Sequence, residues 1–154
     1  MKRSMLFTLS TMFVLLSLFV SVVCADSDID QNRDCKHCGM DRKAFGYSRM
    51  LVEYKDGRKV GTCSLHCVVT ELNGKNGEVI SIKVADRDTR KLIDAEKAVW
   101  VIGGNKRGVM TMRAKWAFAS KAAAQKFVDA NGGKIAAWSD ALAAAQEDNA
   151  PMKH

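Results

Sequence analysis

Four of the five cysteines in this 154-residue chain stand in two close pairs, Cys35-x2-Cys38 and Cys63-x3-Cys67. Thiolate sulfur is a soft donor, a nucleophile and a redox group, so paired thiols support metal binding, thiol–disulfide exchange or disulfide formation. Cys35 and Cys38 precede Gly39 on a turn, where two intervening residues let both sulfurs face one ion. Cys63 and Cys67 sit at a helix start, where residues four apart share a face and exposed N–H groups favour thiolate. Two pairs at separate chain positions fit one shared site. Soft thioethers accompany them: Met40 lies two residues past Cys38, and Met110 and Met112 occupy a loop free of helical core spacing. Met50, inside a strand pattern, is expected to fill core space. His66 adjoins Cys67 and is a weaker candidate, as is Met112. His37 ranks below His66, because it points away from its flanking cysteines if those bind together.

Copper(I) is the favoured occupant: it is soft, prefers thiolate and thioether, and is content with two or three ligands. Zinc closed tetrahedrally by four cysteines is one alternative. Two disulfides suited to an oxidising compartment are another, and thiol–disulfide exchange by Cys35 and Cys38 is a third. Haem attachment needs His directly after Cys38, where Gly39 stands. No residues resemble a nucleophile–base pair, which points to a binder rather than an enzyme. Cys35, Cys38, Met40, Cys63, Cys67 and Met110 are the expected ligand set, two or three of them used at a time.

The elements that must position these groups can be read from period and punctuation. Residues 47–54 and 58–62 flank Lys55-Asp56-Gly57, a hairpin signal. Ser64 can cap a helix running to Asn73-Gly74, and 78–85 alternates as a strand. The order then repeats: an apolar strand at 98–102, a glycine-rich loop, a strand at 115–119, a helix capped by Ser120 and stopped at Asn131-Gly132, and a short strand over 134–138. Ser139 is expected to cap a last helix ending near Glu147. The predicted fold is α+β, two small related strand-strand-helix-strand units packed together, about 35–86 and 97–148 within a domain spanning 35–148.

Lys2 and Arg3 precede a charge-free, nearly wholly apolar stretch at 5–23, and Asp26, Asp28 and Asp30 follow at once. That is the order of a secretory signal, with residues 1–25 expected to be removed after Ala25. An uncleaved anchor and a lipid on Cys24 are the alternatives, and only those would tie the chain to a membrane. Residues 26–34 are expected to be a flexible lead-in and 149–154 a frayed tail. Met152 and His154 could join a site only if that tail folds back. Twenty-four basic residues against 17 acidic ones give a formal +7, but the charges interleave, and no arginine-rich block suggests nucleic acid. The expected location is the periplasm or another exported compartment.

Cys35-x2-Cys38-Gly39-Met40 and Thr62-Cys63-Ser64-x2-Cys67 resemble the paired-cysteine metal modules of the TRASH and YHS type. A longer series is similar to the NosL-type accessory proteins of nitrous oxide reductase: Asp56-Gly57, Trp100-Val101-Ile102-Gly103-Gly104, Arg107-Gly108-Val109-Met110 and Ala117-Phe118-Ala119-Ser120. It spans roughly residues 35–140. The resemblance implies an export-side copper(I) chaperone that hands metal to a copper-dependent client enzyme or its assembly machinery, built from two similar units. Cys35, Cys38 and Met40 match the family's first motif and Met110 its later methionine. Two features depart from the pattern: Val23 stands where a lipoprotein signal has a small residue, and many members lack a cysteine where Cys67 stands.

Overall fold

The computed structural model describes residues 28–74 and 77–150. The expected signal segment with Cys24, and the tail residues Met152 and His154, lie outside them. Elements run in the order α1 (Asp28–Gln31), β1 (Met50–Tyr54), β2 (Lys59–Thr62), α2 (Leu65–Asn73), β3 (Val79–Ala85) and β4 (Leu92–Asp94). They continue as β5 (Val99–Ile102), β6 (Lys115–Phe118), α3 (Lys121–Asn131), β7 (Lys134–Ala136) and α4 (Trp138–Asn149). Both sheets are antiparallel, with strand orders β2-β1-β3-β4 and β6-β5-β7. In each, the first strand of its unit lies between the second and the third. The strand-strand-helix-strand repeat is therefore a repeat of topology as well as of order, with β4 added at one edge.

Local chemistry accounts for these elements. The β1–β2 hairpin turns at Gly57, whose φ of 86° disfavours any side chain, and the Asp56 carboxylate accepts from the Arg58 N–H at 3.0 Å. Met50 pairs with Thr62 on one side and Val84 on the other and is fully buried, as core filler should be. Ser120 caps α3, its hydroxyl accepting from the Ala123 N–H at 3.2 Å. The main core draws on both units: Met50, Val52, Tyr54 and Val68 from the first, Trp100, Ala117, Ala141 and Ala145 from the second. Alanines on the buried side of α4 let that helix lie close to α2. Each large side chain so buried contributes roughly 1.5–3 kcal/mol.

Three expectations need correction. Residues 28–34 are not a flexible lead-in. Asp28 opens a helical turn and its carboxylate receives Arg42 at 2.7 Å and Arg49 at 2.8 Å, while Asp34 bridges to Asp41. Burial alone would raise the Asp28 carboxyl, but hydrogen bonds and charge from Arg49 and Arg42 outweigh it and hold it below the usual range. Arg42 is fully buried and also donates to the carbonyls of Thr62 and Met50, so it staples the lead-in to the hairpin. Ser64 occupies the N-cap position of α2 without capping it through its side chain. The last helix begins at Trp138 rather than after Ser139, and Asp140 secures its start by accepting from the Ala137 N–H at 3.1 Å.

Candidate metal centre

The two cysteine motifs meet. Cys63 directly follows β2, and Cys67 lies in the first turn of α2. The loop carrying Cys35 and Cys38 docks against β2 through a bond from the Lys36 N–H to the Gly61 carbonyl at 3.0 Å. Its turn is closed by the Cys35 N–H donating to Met40 O and the Gly39 N–H donating to Cys35 O, each at 2.9 Å. Gly39 holds φ of 72°, which lets the chain reverse there. The sulfurs of Cys35, Cys38, Cys63 and Cys67 all lie within 4.8 Å of one another. Cys38 and Cys63 approach to 3.4 Å, and Cys63 and Cys67 to 3.8 Å. Thiolates around a tetrahedral ion at about 2.3 Å would stand ~3.8 Å apart, so this donor set fits a single soft ion. All four cysteines are free, so the disulfide alternative is not the arrangement seen.

Three of the four are buried, and only Cys38 is partly exposed. Val109 completes their cluster, with Met40, Phe45 and Tyr47 packed around it. Hydrogen bonds from the thiols of Cys63 and Cys67 lower the pKa of Cys35. The same contacts with Cys35, helped by burial, push Cys63 up to about 12 and raise Cys67 as well. Neighbouring thiols that donate hydrogen bonds can thus share the negative charge of one sulfur within the cluster.

Beside the cluster opens a cleft of about 830 Å³, lined by Met40, Phe45, Tyr47, Val109, Met110 and Met112 among others. Met40 thus touches both cluster and cleft. Met110 and Met112 are placed on the cleft wall, 44% and 87% exposed. Neither is core filler. Met110 holds φ of 58°, a left-handed conformation costing a residue with a side chain roughly 1–2 kcal/mol. The alternate residues of that loop pin it down: Thr111 and Arg113 donate to Asp148 on α4 at 2.8 and 2.7 Å, and buried Lys115 bonds to the same carboxylate.

Neither nearby histidine joins the four-sulfur group. His66 is half-buried beside Lys115, and burial first, then that lysine's charge, lowers its pKa. His37 instead pairs with α2, its Nε2 lying 2.7 Å from Glu71 Oε2. Glu71 is buried, and its other oxygen accepts from Tyr54 Oη at 2.7 Å. Glu71 and Asp148 went unnoticed in the sequence. Spacing gives a faint signal for the first, since Cys63, Cys67 and Glu71 recur every four residues.

The family model described as NosL matches residues 26–145. The chain belongs to the NosL family. Its fold is also similar to that of the copper chaperone NosL from Shewanella denitrificans, with a TM-score of 0.59 at 21% sequence identity. That likeness covers 73% of this chain and 91% of the other. Among curated proteins, none matches. The α+β architecture of this chain is thus a fold it shares with that structure.

Proposed function

We propose that this chain is an exported copper(I) carrier that delivers its ion to a copper-dependent enzyme, nitrous oxide reductase or a related client, or to that enzyme's assembly machinery. The convergence of four sulfurs from two distant motifs within 4.8 Å carries this reading. Such a cluster supports binding of a soft ion by thiolate sulfurs, the thiol protons leaving to solvent. The partly exposed Cys38 and the thioether-lined cleft give that ion a way in and out. Support for the cargo comes from the described activity of the Shewanella denitrificans relative, and support for export from the signal-like order of residues 1–25. Copper is here a transported substrate, and no bond of the client is made or broken on this chain. Titration of the reduced protein with copper(I) against a chromophoric chelator tests the reading. One ion per chain, held more tightly than by the chelator, is the expected outcome.

A second reading has its own observation. Three buried sulfurs and near-tetrahedral spacing also suit a structural zinc site. Zinc that is required for folding and does not yield to copper(I) would favour it.

A further inference from the structure

The four sulfurs do not sit on equivalent supports. Cys63 and Cys67 belong to the end of β2 and to α2, inside the main framework. Cys35 and Cys38 belong to a loop that is fastened to that framework by the Lys36–Gly61 backbone bond and by the side chain of His37. That side chain reaches Glu71 at 2.7 Å, across 34 positions of sequence. Glu71 stands one helical turn beyond Cys67 on α2 and is only 2% exposed. Tyr54, from β1, holds the other carboxylate oxygen at 2.7 Å. A carboxylate taken out of water is costly unless its oxygens are bonded, so the Tyr54–Glu71–His37 chain is a built unit. It anchors the carboxylate on the sheet side and presents it to the loop. Cys38, the sulfur that solvent reaches, is the residue next to His37.

We propose that the His37–Glu71 pair is a latch holding the Cys35–Cys38 loop against the helix that carries Cys67, and that it sets how fast the ion leaves the cluster. The proposal rests on the copper(I)-carrier reading. Release is ligand exchange: a soft group of the acceptor forms a bond to copper(I) as a cysteine sulfur gives one up, with no change of oxidation state. Loosening the latch lets Cys38 swing out, so that this exchange starts more easily. His37 is then a positioning residue and not a ligand, which explains a histidine beside Cys38 that bonds to Glu71 and stays outside the four-sulfur group.

The test uses the full chain loaded with copper(I), following its transfer to a chromophoric chelator by stopped flow. His37→Ala should release copper about 10-fold faster or more, the scale on which supporting hydrogen bonds act on metal sites. His37→Gln should stay near the parent rate, because its amide N–H can still reach Glu71 although it is not an imidazole. Phe127→Leu, in the second core beside Trp116 and Phe118, lowers the melting temperature away from the loop and should leave the rate unchanged. Release from His37→Ala at the parental rate would overturn the latch alone, as would His37→Gln behaving like His37→Ala. A rise in Phe127→Leu equal to that in His37→Ala would also overturn it, since general loosening would then explain both. A parent chain that takes up no copper(I) would overturn the carrier reading and the latch with it.

Discussion

Cys38 and Cys63 face each other across the two motifs at 3.4 Å, so each tests whether both pairs serve one ion. Replacing either with Ser substitutes a hard oxygen for a soft sulfur, and copper(I) affinity should fall by at least ~100-fold. The reduced, metal-free fold should largely survive, because Ser is close to Cys in size; a circular dichroism melt checks this beside the chelator competition. The thioethers make a separate prediction. Met40→Leu and Met110→Leu keep volume and apolarity but lose the ligand sulfur, so one or both should weaken copper(I) binding in the same competition with little change in melting temperature. If both variants hold copper as tightly as the parent, the cysteines alone are the ligands. Gly61 shows a different constraint. A Cβ there would lie 2.6 Å from Asn32 Cβ and 2.7 Å from Arg42 Nη1, so Gly61→Ala should cost about 1–3 kcal/mol in a denaturant titration. At this scale the sequence exposed the cysteines and methionines, because soft-donor types and short spacing are local. Glu71 looked like any helical acid, since its burial depends on Tyr54 and the loop from other elements.

Among the elements, the loop between β5 and β6 is fastened to the end of α4, where Arg113 bonds Ala144 O and Glu147 and three side chains share Asp148. Asp148 accepts from Thr111, Arg113 and Lys115, and although burial acts to raise its pKa, those hydrogen bonds outweigh it and bring the value from 3.8 to about 2. A carboxyl depressed on folding adds stability that is full above the unfolded value and lost as pH falls through the folded one. Asp148→Asn should therefore melt lower than the parent at neutral pH, and the gap should close between about pH 4 and pH 2. A gap unchanged across that window would show that the carboxylate's charge is not what pins the loop. Most strands and helices were legible, since Asp56-Gly57, the apolar run at 98–102 and Ser120 before an amphipathic stretch are local signals. Two features were not. The lead-in is polar and reads as loose, but Arg42 and Arg49 lie 14 and 21 residues from Asp28 and supply the order. β4 has three residues, and its pairing with β3 leaves no periodicity long enough to detect.

Across the whole molecule, the repeated topology explains where the centre sits. The first unit supplies all four sulfurs, while the second supplies Val109 against them and the methionine wall of the cleft. The units are tied by a common core around Trp100 and by Asp86 accepting from the Ala119 N–H at 3.0 Å, which keeps wall and cluster in register. Sheet order and this tie were not legible in the sequence, because they arise only when the two units pack. Binding to the folded state alone stabilises it by an amount that grows with the logarithm of one plus the ratio of free ligand to Kd, so loading should raise the melting temperature. Thiol ligands must give up their protons to bind the ion, so loading should release protons. The most direct test of the carrier account is the metal content and thiol count of the protein isolated from the cells that make it, followed by copper(I) competition. The account predicts about one copper(I) per chain, with Cys35, Cys38, Cys63 and Cys67 all reactive once the ion is stripped. Zinc at full occupancy that copper(I) cannot displace, or two stable disulfides and no metal, would contradict it.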